Sequence, residues 1–221
     1  MKKLFVFLAA LSLLSVSTVR AEVYGFDKAH SHIGFSVRHI LSPVPGEFKD
    51  YDGTVHFDPK NPTASKISVT IQVASVSTDN EMRDHHLQTP DFFDAAKYPT
   101  ITFKSTSVTK GDADNKYSVV GNLTMHGVTK SVTLDVDYAG SDTMMGAKIA
   151  GFTATTKIDR RDFGISFNKV LDSGNLMVDN MVNITLDIAL MDKAGMAKMK
   201  AMMSKPKPAA DAPAATPAPS N

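Results

Sequence analysis

The strongest constraint on the fold is an alternation of apolar and polar residues with a period of two, which recurs along most of the chain. It is clearest in four segments: 33–37, 67–73, 132–138 and 182–190. Shorter versions occur in four more: 55–57, 101–103, 117–123 and 150–154. Successive side chains of a strand point to opposite faces of a sheet, so this pattern predicts strands with one buried face.

Roughly eight strands is the number found in a small closed barrel, and the sequence therefore predicts an all-β fold, an eight-stranded barrel. A β-sandwich has a similar strand count and is the alternative. One segment breaks the alternation: residues 78–80 are Thr-Asp-Asn, which can cap a helix over 81–87 before Pro90. Residues 91–94 are predicted to form another helical turn. We expect this short helical insertion to cover one end of the barrel.

The N-terminus predicts export. Two lysines follow Met1, an apolar run extends from Leu4 to Leu14, and residues 19–21 (Val-Arg-Ala) provide a small-residue cleavage site. We expect residues 1–21 to be a signal peptide that delivers the protein to the periplasm. A retained anchor is the alternative, but the apolar run is shorter than the ~20 residues that span a bilayer.

The composition changes after Met191. Residues 22–191, the expected barrel, contain 16 Lys and Arg against 21 Asp and Glu, whereas residues 192–221 have a net charge of +3. Residues 192–204 are predicted to be a short amphipathic segment rich in Met and Lys, unfolded until it meets a bilayer or partner, and residues 205–221 a disordered tail rich in Pro and Ala. The acidic body argues against nucleic acid as a partner, and the basic tail favours transient contact with an anionic membrane.

The chain offers no recognisable catalytic or metal centre. It has no cysteine, which excludes thiolate chemistry and disulfides. Ser31 lies between His30 and His32, but neighbours on a strand point to opposite faces, so no catalytic pair is expected. These two histidines share a face without a nearby carboxylate that completes a ligand set, and we predict no metal site. The tail methionines could bind Cu(I), although an apolar helix stripe explains them as well.

Five sequence blocks in order resemble one family. They are Asp27-x-x-His30-Ser31-x-Ile33-x-Phe35 with His39, His86-Leu87-x-x-x-Asp91-Phe92-Phe93-Asp94, Tyr98-Pro99 with Phe103-Lys104-Ser105, residues 121–129 (Gly-Asn-Leu-Thr-Met-His-Gly-Val-Thr), and Arg161-Asp162-Phe163-Gly164-Ile165. Together they resemble the YceI-like proteins, a periplasmic polyisoprenoid-binding family, over about residues 23–190. The resemblance implies a lipocalin-like antiparallel barrel that holds a long isoprenoid chain inside. The basic tail lies outside the resemblance.

The candidate binding residues occupy the apolar positions of the alternating pattern in their strands. Six are expected to line a cavity: Phe35, Val69, Ile71, Phe103, Val119 and Leu186. The strand pattern alone leaves open a solid core, because small barrels of both kinds exist. On the insertion, Arg83, His85 and His86 are candidates for contact with the polar head of the ligand. Arg83 suits a phosphate, and a histidine suits a quinone.

The sequence therefore predicts a binding protein without a cofactor. The expected ligand is an isoprenoid lipid, either a polyisoprenoid quinone or a polyprenyl phosphate, held for carriage, storage or a stress response. The alternative is an exported metal-binding or stress-protective structural protein that uses its His and Met residues. An enzyme acting on lipid is the third hypothesis.

Overall fold

The computed structural model describes residues 21–172 and 176–203, so the expected disordered tail at 205–221 and nearly all of the expected signal peptide lie outside the described residues. Within these ranges the chain forms eleven strands and two α-helices. The strands are β1 (Glu22–Phe26), β2 (His32–His39), β3 (Ser42–Phe48), β4 (Tyr51–Phe57), β5 (Lys66–Gln72), β6 (Val76–Ser77), β7 (Thr100–Lys110), β8 (Lys116–Met125), β9 (Val128–Met144), β10 (Ala147–Asp159) and β11 (Val178–Asp192). The helices are α1 (Glu81–Leu87) and α2 (Lys193–Met203).

Eight of the strands close into a barrel. Their order is β1-β4-β5-β7-β8-β9-β10-β11, and β1 pairs with β11 to complete the ring. Every pairing in this ring is antiparallel. The predicted eight-stranded antiparallel barrel is confirmed, and a β-sandwich is excluded because its two sheets would not be joined by pairing all the way round.

The three remaining strands, β2, β3 and β6, extend the barrel wall at one end, where each belongs to a long strand that is interrupted by a break. Strands β1 and β2 both pair with β11. Strand β1 pairs with the last residues of β11, and β2 pairs with residues 178–187 of β11. Strand β3 pairs with β2, and β6 pairs with β3. The pairs β1/β2, β3/β4 and β5/β6 therefore act as three long strands with breaks, which is why eleven segments make an eight-stranded barrel.

A serine side chain repairs the break between β1 and β2. The Ser31 hydroxyl donates to the carbonyl oxygen of Ala189 at 3.0 Å and accepts from the amide of Ala189 at 3.0 Å. The amide of Asp27 also donates to the Ala189 carbonyl, at 2.9 Å. Because the Ser31 side chain makes the two bonds that a backbone partner would make, the ladder along β11 continues across the break.

The antiparallel order places the connections alternately at two ends of the barrel. At the insertion end lie the β2–β3 hairpin, residues 73–99, the turn at 126–127 and the connection at 160–177. At the terminal end lie the start of β1, the end of β11 and helix α2. None of the helices in the described part of the chain is long and apolar enough to cross a membrane.

The insertion contains the predicted helix. Helix α1 spans Glu81–Leu87, and the side-chain oxygen of Asn80 accepts from the amide of Arg83 at 3.0 Å, which satisfies one of the free donors at the start of a helix. The predicted helical turn at 91–94 is instead a set of hydrogen-bonded turns. Asp94 there has a φ of 49°, in the left-handed region, so the backbone cannot continue as a helix.

Four aromatic rings close the terminal end of the barrel interior. Phe57 contacts Tyr138 and Phe152 with ring centres 5.3 and 5.2 Å apart, and Tyr24 lies 6.0 Å from Phe57. We call Tyr24, Phe57, Tyr138 and Phe152 the aromatic floor. Burial raises the pKa of Tyr24 to about 12, and the neighbouring Glu22 carboxylate adds to the effect.

Helix α2 packs against the terminal end. A Cβ atom added to Gly25 would lie 2.8 Å from the sulfur of Met196, and Gly195 leaves no room for a Cβ atom against Ala147. The Asp192 carboxylate accepts from the amide of Gly195 at 3.2 Å. The expectation that this segment stays unfolded until it meets a bilayer is wrong for residues 193–203, because small residues allow the helix to rest on β1 and β10.

Candidate functional site

The barrel encloses a cavity of about 290 Å³, whose wall is almost entirely apolar. Ligand pockets commonly measure roughly 300–1,000 Å³, so the cavity is at the small end of that range. All six residues expected to line a cavity contribute to its wall: Phe35, Val69, Ile71, Phe103, Val119 and Leu186. The choice between a hollow barrel and a solid core is therefore decided in favour of a hollow one, while the part these residues play in binding stays a prediction.

Strand register explains why these side chains converge. Val69 of β5 lies opposite Phe103 of β7, and Phe103 lies opposite Leu123 of β8. On the other side of the barrel, Leu186 of β11 lies opposite Ile33 of β2. Residues that are directly opposite in neighbouring strands point to the same face. The apolar residues of one strand therefore lie beside those of the next strand, all around the inside of the barrel.

Two glycines shape the wall. A Cβ atom at Gly46 would lie 2.8 Å from a ring carbon of Phe35, and one at Gly121 would lie 2.5 Å from a ring carbon of Phe103. Both rings can lie over the backbone of the next strand only because these positions have no side chain. The sequence analysis did not single out either glycine, although a glycine inside an alternating segment is the signal that could have found them.

The helical insertion contributes apolar residues to the cavity wall. Leu87, Phe92 and Phe93 all line it. The ring of Phe93 packs on Phe48 with centres 5.7 Å apart, and Phe92 packs on Phe167 of the β10–β11 connection at 5.0 Å. The insertion therefore covers one end of the barrel, as predicted, and it covers that end with hydrophobic contacts.

Arg83 is placed away from the cavity wall. Its guanidinium donates to the hydroxyl and to the carbonyl oxygen of Thr78, each at 2.7 Å. The Thr78 hydroxyl in turn donates to the Asp84 carboxylate at 2.5 Å. These bonds hold the start of α1 against the end of β6, so in this structure Arg83 serves the anchoring of the insertion.

The two histidines of the insertion do not line the cavity either. The ring of His86 contacts the rings of Phe92 and Phe167 with centres 5.0 and 5.1 Å apart, and its Nε2 atom lies 2.8 Å from the carboxylate of Asp91. His85 is exposed. The side chains that the sequence analysis assigned to the polar head thus lie on the outer side of the insertion, and Leu87, Phe92 and Phe93 take the inner side.

Arg160 is the charged residue of the wall, and the sequence analysis missed it. It is buried, and its guanidinium donates to the carbonyl oxygens of Asp179 and Ile165 at 3.0 and 3.1 Å and to the side-chain oxygen of Asn180 at 3.3 Å. Burial lowers the pKa of the Arg160 guanidinium, and the nearby Asp159 carboxylate opposes that effect. Because these donors face backbone acceptors, Arg160 fixes the β10–β11 connection and leaves the cavity apolar.

The other histidines near β2 have separate partners. The Nδ1 atom of His30 lies 2.8 Å from the Asp27 carboxylate, and that of His32 lies 2.9 Å from the Glu47 carboxylate. Across residues 21–172 and 176–203 no group of three or more His, Cys, Asp or Glu is placed to hold a metal ion. The Ser31 hydroxyl, tied to the backbone of Ala189, has a structural role.

The family follows from a direct comparison. The family model of the YceI-like domain matches residues 24–190, which are most of the chain and all but the first two and last two residues of the barrel. The chain belongs to the YceI-like family. Among YceI-like relatives, Protein YceI of Escherichia coli O157:H7 is 45% identical over 170 residues, covering 75% of this chain and 88% of the relative. Protein YceI of Salmonella newport (strain SL254) is 46% identical over 164 residues, covering 72% and 84%.

Solved structures agree with this YceI-like fold. The Campylobacter jejuni YCEI protein superposes with a TM-score of 0.61 at 36% identity, covering 76% of this chain and 96% of that chain. Burkholderia cenocepacia BcnA gives a TM-score of 0.65 at 28% identity, covering 74% and 98%. A domain from Saccharophagus degradans, described as polyisoprenoid-binding, gives 0.56 at 15% identity, covering 78% and 99%, and it supports the fold alone.

Proposed function

We propose that this YceI-like protein binds the hydrocarbon chain of an isoprenoid lipid inside its barrel. The observation that carries the proposal is the cavity wall, which is apolar from the aromatic floor to the insertion. Apolar side chains attract a hydrocarbon chain without any specific polar contact. The Saccharophagus degradans domain, which shares the fold, is described as polyisoprenoid-binding, and the proposal extends that ligand class to this chain.

The apolar wall is the source of the binding free energy in this proposal. Each buried CH₂ contributes about 0.8 kcal/mol, so ten carbons, or two isoprene units, contribute about 8 kcal/mol before the cost of ordering the chain. A net binding free energy of about 8 kcal/mol corresponds to a Kd of about 1 μM, and association costs about 4 kcal/mol or more, so that affinity requires the burial of further isoprene carbons. Longer burial strengthens binding further.

The polar head of the lipid lies at the insertion end in this proposal. The aromatic floor closes the other end, and a wall without polar surface cannot satisfy a phosphate or a quinone carbonyl. The chain therefore enters tail first. Arg83, His85 and His86 on the outer side of the insertion are the proposed contacts of the head, Arg83 for a polyprenyl phosphate and a histidine for a quinone, and Arg83 has to exchange its bonds to Thr78 for the phosphate.

We further infer that the protein works in the periplasm as a binding protein for carriage, storage or a stress response, and not as an enzyme. The signal-like sequence at residues 1–21 supports that location. Lys193, Lys198 and Lys200 are exposed on α2 and supply the contact with an anionic membrane that the basic C-terminal region favours.

The test is organic extraction of the purified protein followed by mass spectrometry. Wild-type protein should yield an isoprenoid lipid, and Val69→Asp should yield none, because an unpaired carboxylate in the cavity opposes a hydrocarbon chain. Ser68→Asp is the matched control, since Ser68 is the neighbouring, exposed residue of the same strand. Extracts of wild-type protein without any isoprenoid, or Val69→Asp protein with normal lipid content, would contradict the proposal.

A further inference from the structure

We propose that the β2–β3 hairpin docks the insertion end of the barrel on a lipid bilayer. The docking residues are Ile40 and Leu41 at the hairpin tip, with Val170 and Leu176 beside them, and we call these four the apolar tip. This surface goes beyond the proposed function, because it concerns what the outside of the barrel touches and does not depend on which chain the cavity holds.

The hairpin tip has the wrong residues for a turn. His39 pairs with Ser42, so Ile40 and Leu41 are the two central residues of a two-residue hairpin, where Gly, Asn and Asp are strongly preferred. Ile40 has a φ of 57°, in the left-handed region, which is an outlier for a β-branched residue. A β-branched residue strains the backbone in this conformation, and strain of this kind clusters at functional positions.

The same tip leaves large apolar side chains in water. Leu41 is 89% exposed and Ile40 is 43% exposed. Turns favour polar residues, and the turn at residues 111–115 (Gly-Asp-Ala-Asp-Asn) has them. The strained φ of Ile40 and the exposed side chain of Leu41 each destabilise the folded protein. Contact between the tip and an apolar partner removes the cost of the exposure.

A second exposed pair lies beside the hairpin. The amide of Ile40 donates to the carbonyl oxygen of Met177 at 2.8 Å, and the amide of Met177 donates to the carbonyl oxygen of Lys169 at 2.8 Å. Next to these, Val170 and Leu176 pair across a short bridge and are 70% and 40% exposed. The backbone bonds hold all four apolar side chains together at one end of the barrel.

The size of the apolar tip identifies its partner. Four aliphatic side chains expose on the order of 300 Å² of apolar surface. A stable protein interface buries about 800 Å² on each partner, so a second copy of this chain would gain too little from the tip. A bilayer needs no complementary shape, and binding to its interface strengthens with the apolar area that enters it.

The charges near the apolar tip balance. Arg38 and Lys169 are exposed beside it, and Asp172 and Asp179 lie close to them, with Arg38 Nε 3.8 Å from an Asp179 carboxylate oxygen. A balanced surface matches zwitterionic head groups and is insensitive to salt. This property separates the apolar tip from the basic α2 helix, which lies at the opposite end and attracts anionic lipid only at low salt.

Docking at this end places the insertion next to the membrane. Phe167, in the same connection as Val170, packs on Phe92 of the insertion, whose ring lines the cavity. Docking there therefore brings the bilayer to the end of the cavity that Phe92 covers.

The test is co-sedimentation of the protein with phosphatidylcholine vesicles in about 0.5 M salt, where the screening length is roughly 4 Å. The double variant Ile40→Gly, Leu41→Asn should bind the vesicles at least tenfold more weakly, because two apolar side chains no longer enter the bilayer. The same variant should raise Tm by about 2–4 °C, because glycine relieves the strained φ. A residue with a merely structural role would lower Tm.

Met145→Asn is the matched control. Met145 is 77% exposed and has a φ of 52°, but it lies in the β9–β10 turn at the terminal end, so its replacement should leave vesicle binding unchanged. Three results would overturn the proposal: no association of wild-type protein with these vesicles, undiminished association of the double variant, or a wild-type dimer that the double variant dissolves. The lipid extracted from the double variant should equal that of wild type, which keeps this test separate from that of the proposed function.

Discussion

The cavity depends on a close approach between Gly121 and the ring of Phe103, and this contact predicts a coupling that can be measured. A Cβ atom at Gly121 would lie 2.5 Å from a ring carbon of Phe103 and 2.9 Å from the carbonyl oxygen of Lys104. Gly121→Ala therefore forces the ring toward the lumen or the strands apart, and such overpacking costs about 1–3 kcal/mol. The loss of chain freedom in the unfolded state returns about 0.4–1 kcal/mol. The net destabilisation should be about 1–2 kcal/mol.

A smaller side chain at position 103 should rescue the alanine. The free energies of unfolding of Gly121→Ala, Phe103→Leu and the double variant, measured by urea denaturation, form a double-mutant cycle. The double variant should be at least about 1 kcal/mol more stable than the sum of the two single changes, because leucine leaves space for the new methyl group.

Gly151→Ala provides the control for the glycine change. Gly151 also lies in a barrel strand, but a Cβ atom there would meet the Cβ of Ala139 at 3.5 Å, an ordinary contact. This variant should be as stable as wild type or up to about 1 kcal/mol more stable. Equal effects of the alanines at 121 and 151, or additive effects in the cycle within about 0.5 kcal/mol, would refute the role assigned to the contact.

Three further predictions concern the fold and the terminal end. Ser31→Ala leaves the amide of Ala189 without a partner and should lower the free energy of unfolding by about 1–3 kcal/mol in urea titrations, whereas no change would mean that water replaces the hydroxyl. Replacing Lys193, Lys198 and Lys200 together by Gln should weaken binding to anionic vesicles at low salt by tenfold or more, and unchanged binding would remove α2 from membrane contact. The pKa of Tyr24 is about 12 in the folded state and ordinarily 10, so its contribution to stability is complete below pH 10 and is lost as the pH rises from 10 to 12. Tyr24→Phe should lose less stability than wild type over this pH range. Identical pH profiles of stability for the two proteins would contradict this prediction.

The sequence predicted the strands and the inward faces because both depend on local order. A period of two determines which residues share a face, so Val69 and Ile71 could be assigned to one wall before their partners were known. The predicted strand count of eight is also confirmed, although three of the eight barrel strands are interrupted. The interruption near Ser31 could not be predicted, because its repair depends on Ala189, which is 158 positions away.

The parts of the site that the sequence missed depend on contacts between distant segments. The role of Gly121 becomes visible only when the ring of Phe103 lies over it. The role of Arg160 becomes visible only when carbonyl groups of β11 lie beside its guanidinium. Arg83 stays a prediction for the polar head because its chemistry suits a phosphate, and nothing in the sequence indicates that its guanidinium is bonded to Thr78. The sequence can name the residues of a short helix that carry polar chemistry, but the packing of the insertion determines which of them face the cavity.

The central claim is that a lipid chain occupies the barrel with its tail at the aromatic floor and its head at the insertion. A prenyl lipid with a nitroxide at its tail end, bound to protein with isotope-labelled Ile, Leu and Val methyl groups, tests this by NMR line broadening. Broadening should be strongest for Val55 and Ile188, since Ile188 pairs with Phe152 of the aromatic floor and Val55 precedes Phe57. It should be weaker for Leu87 and Val178 at the insertion end. Broadening that is strongest at Leu87 and Val178, or that is confined to methyl groups on the outside of the barrel, would contradict the claim.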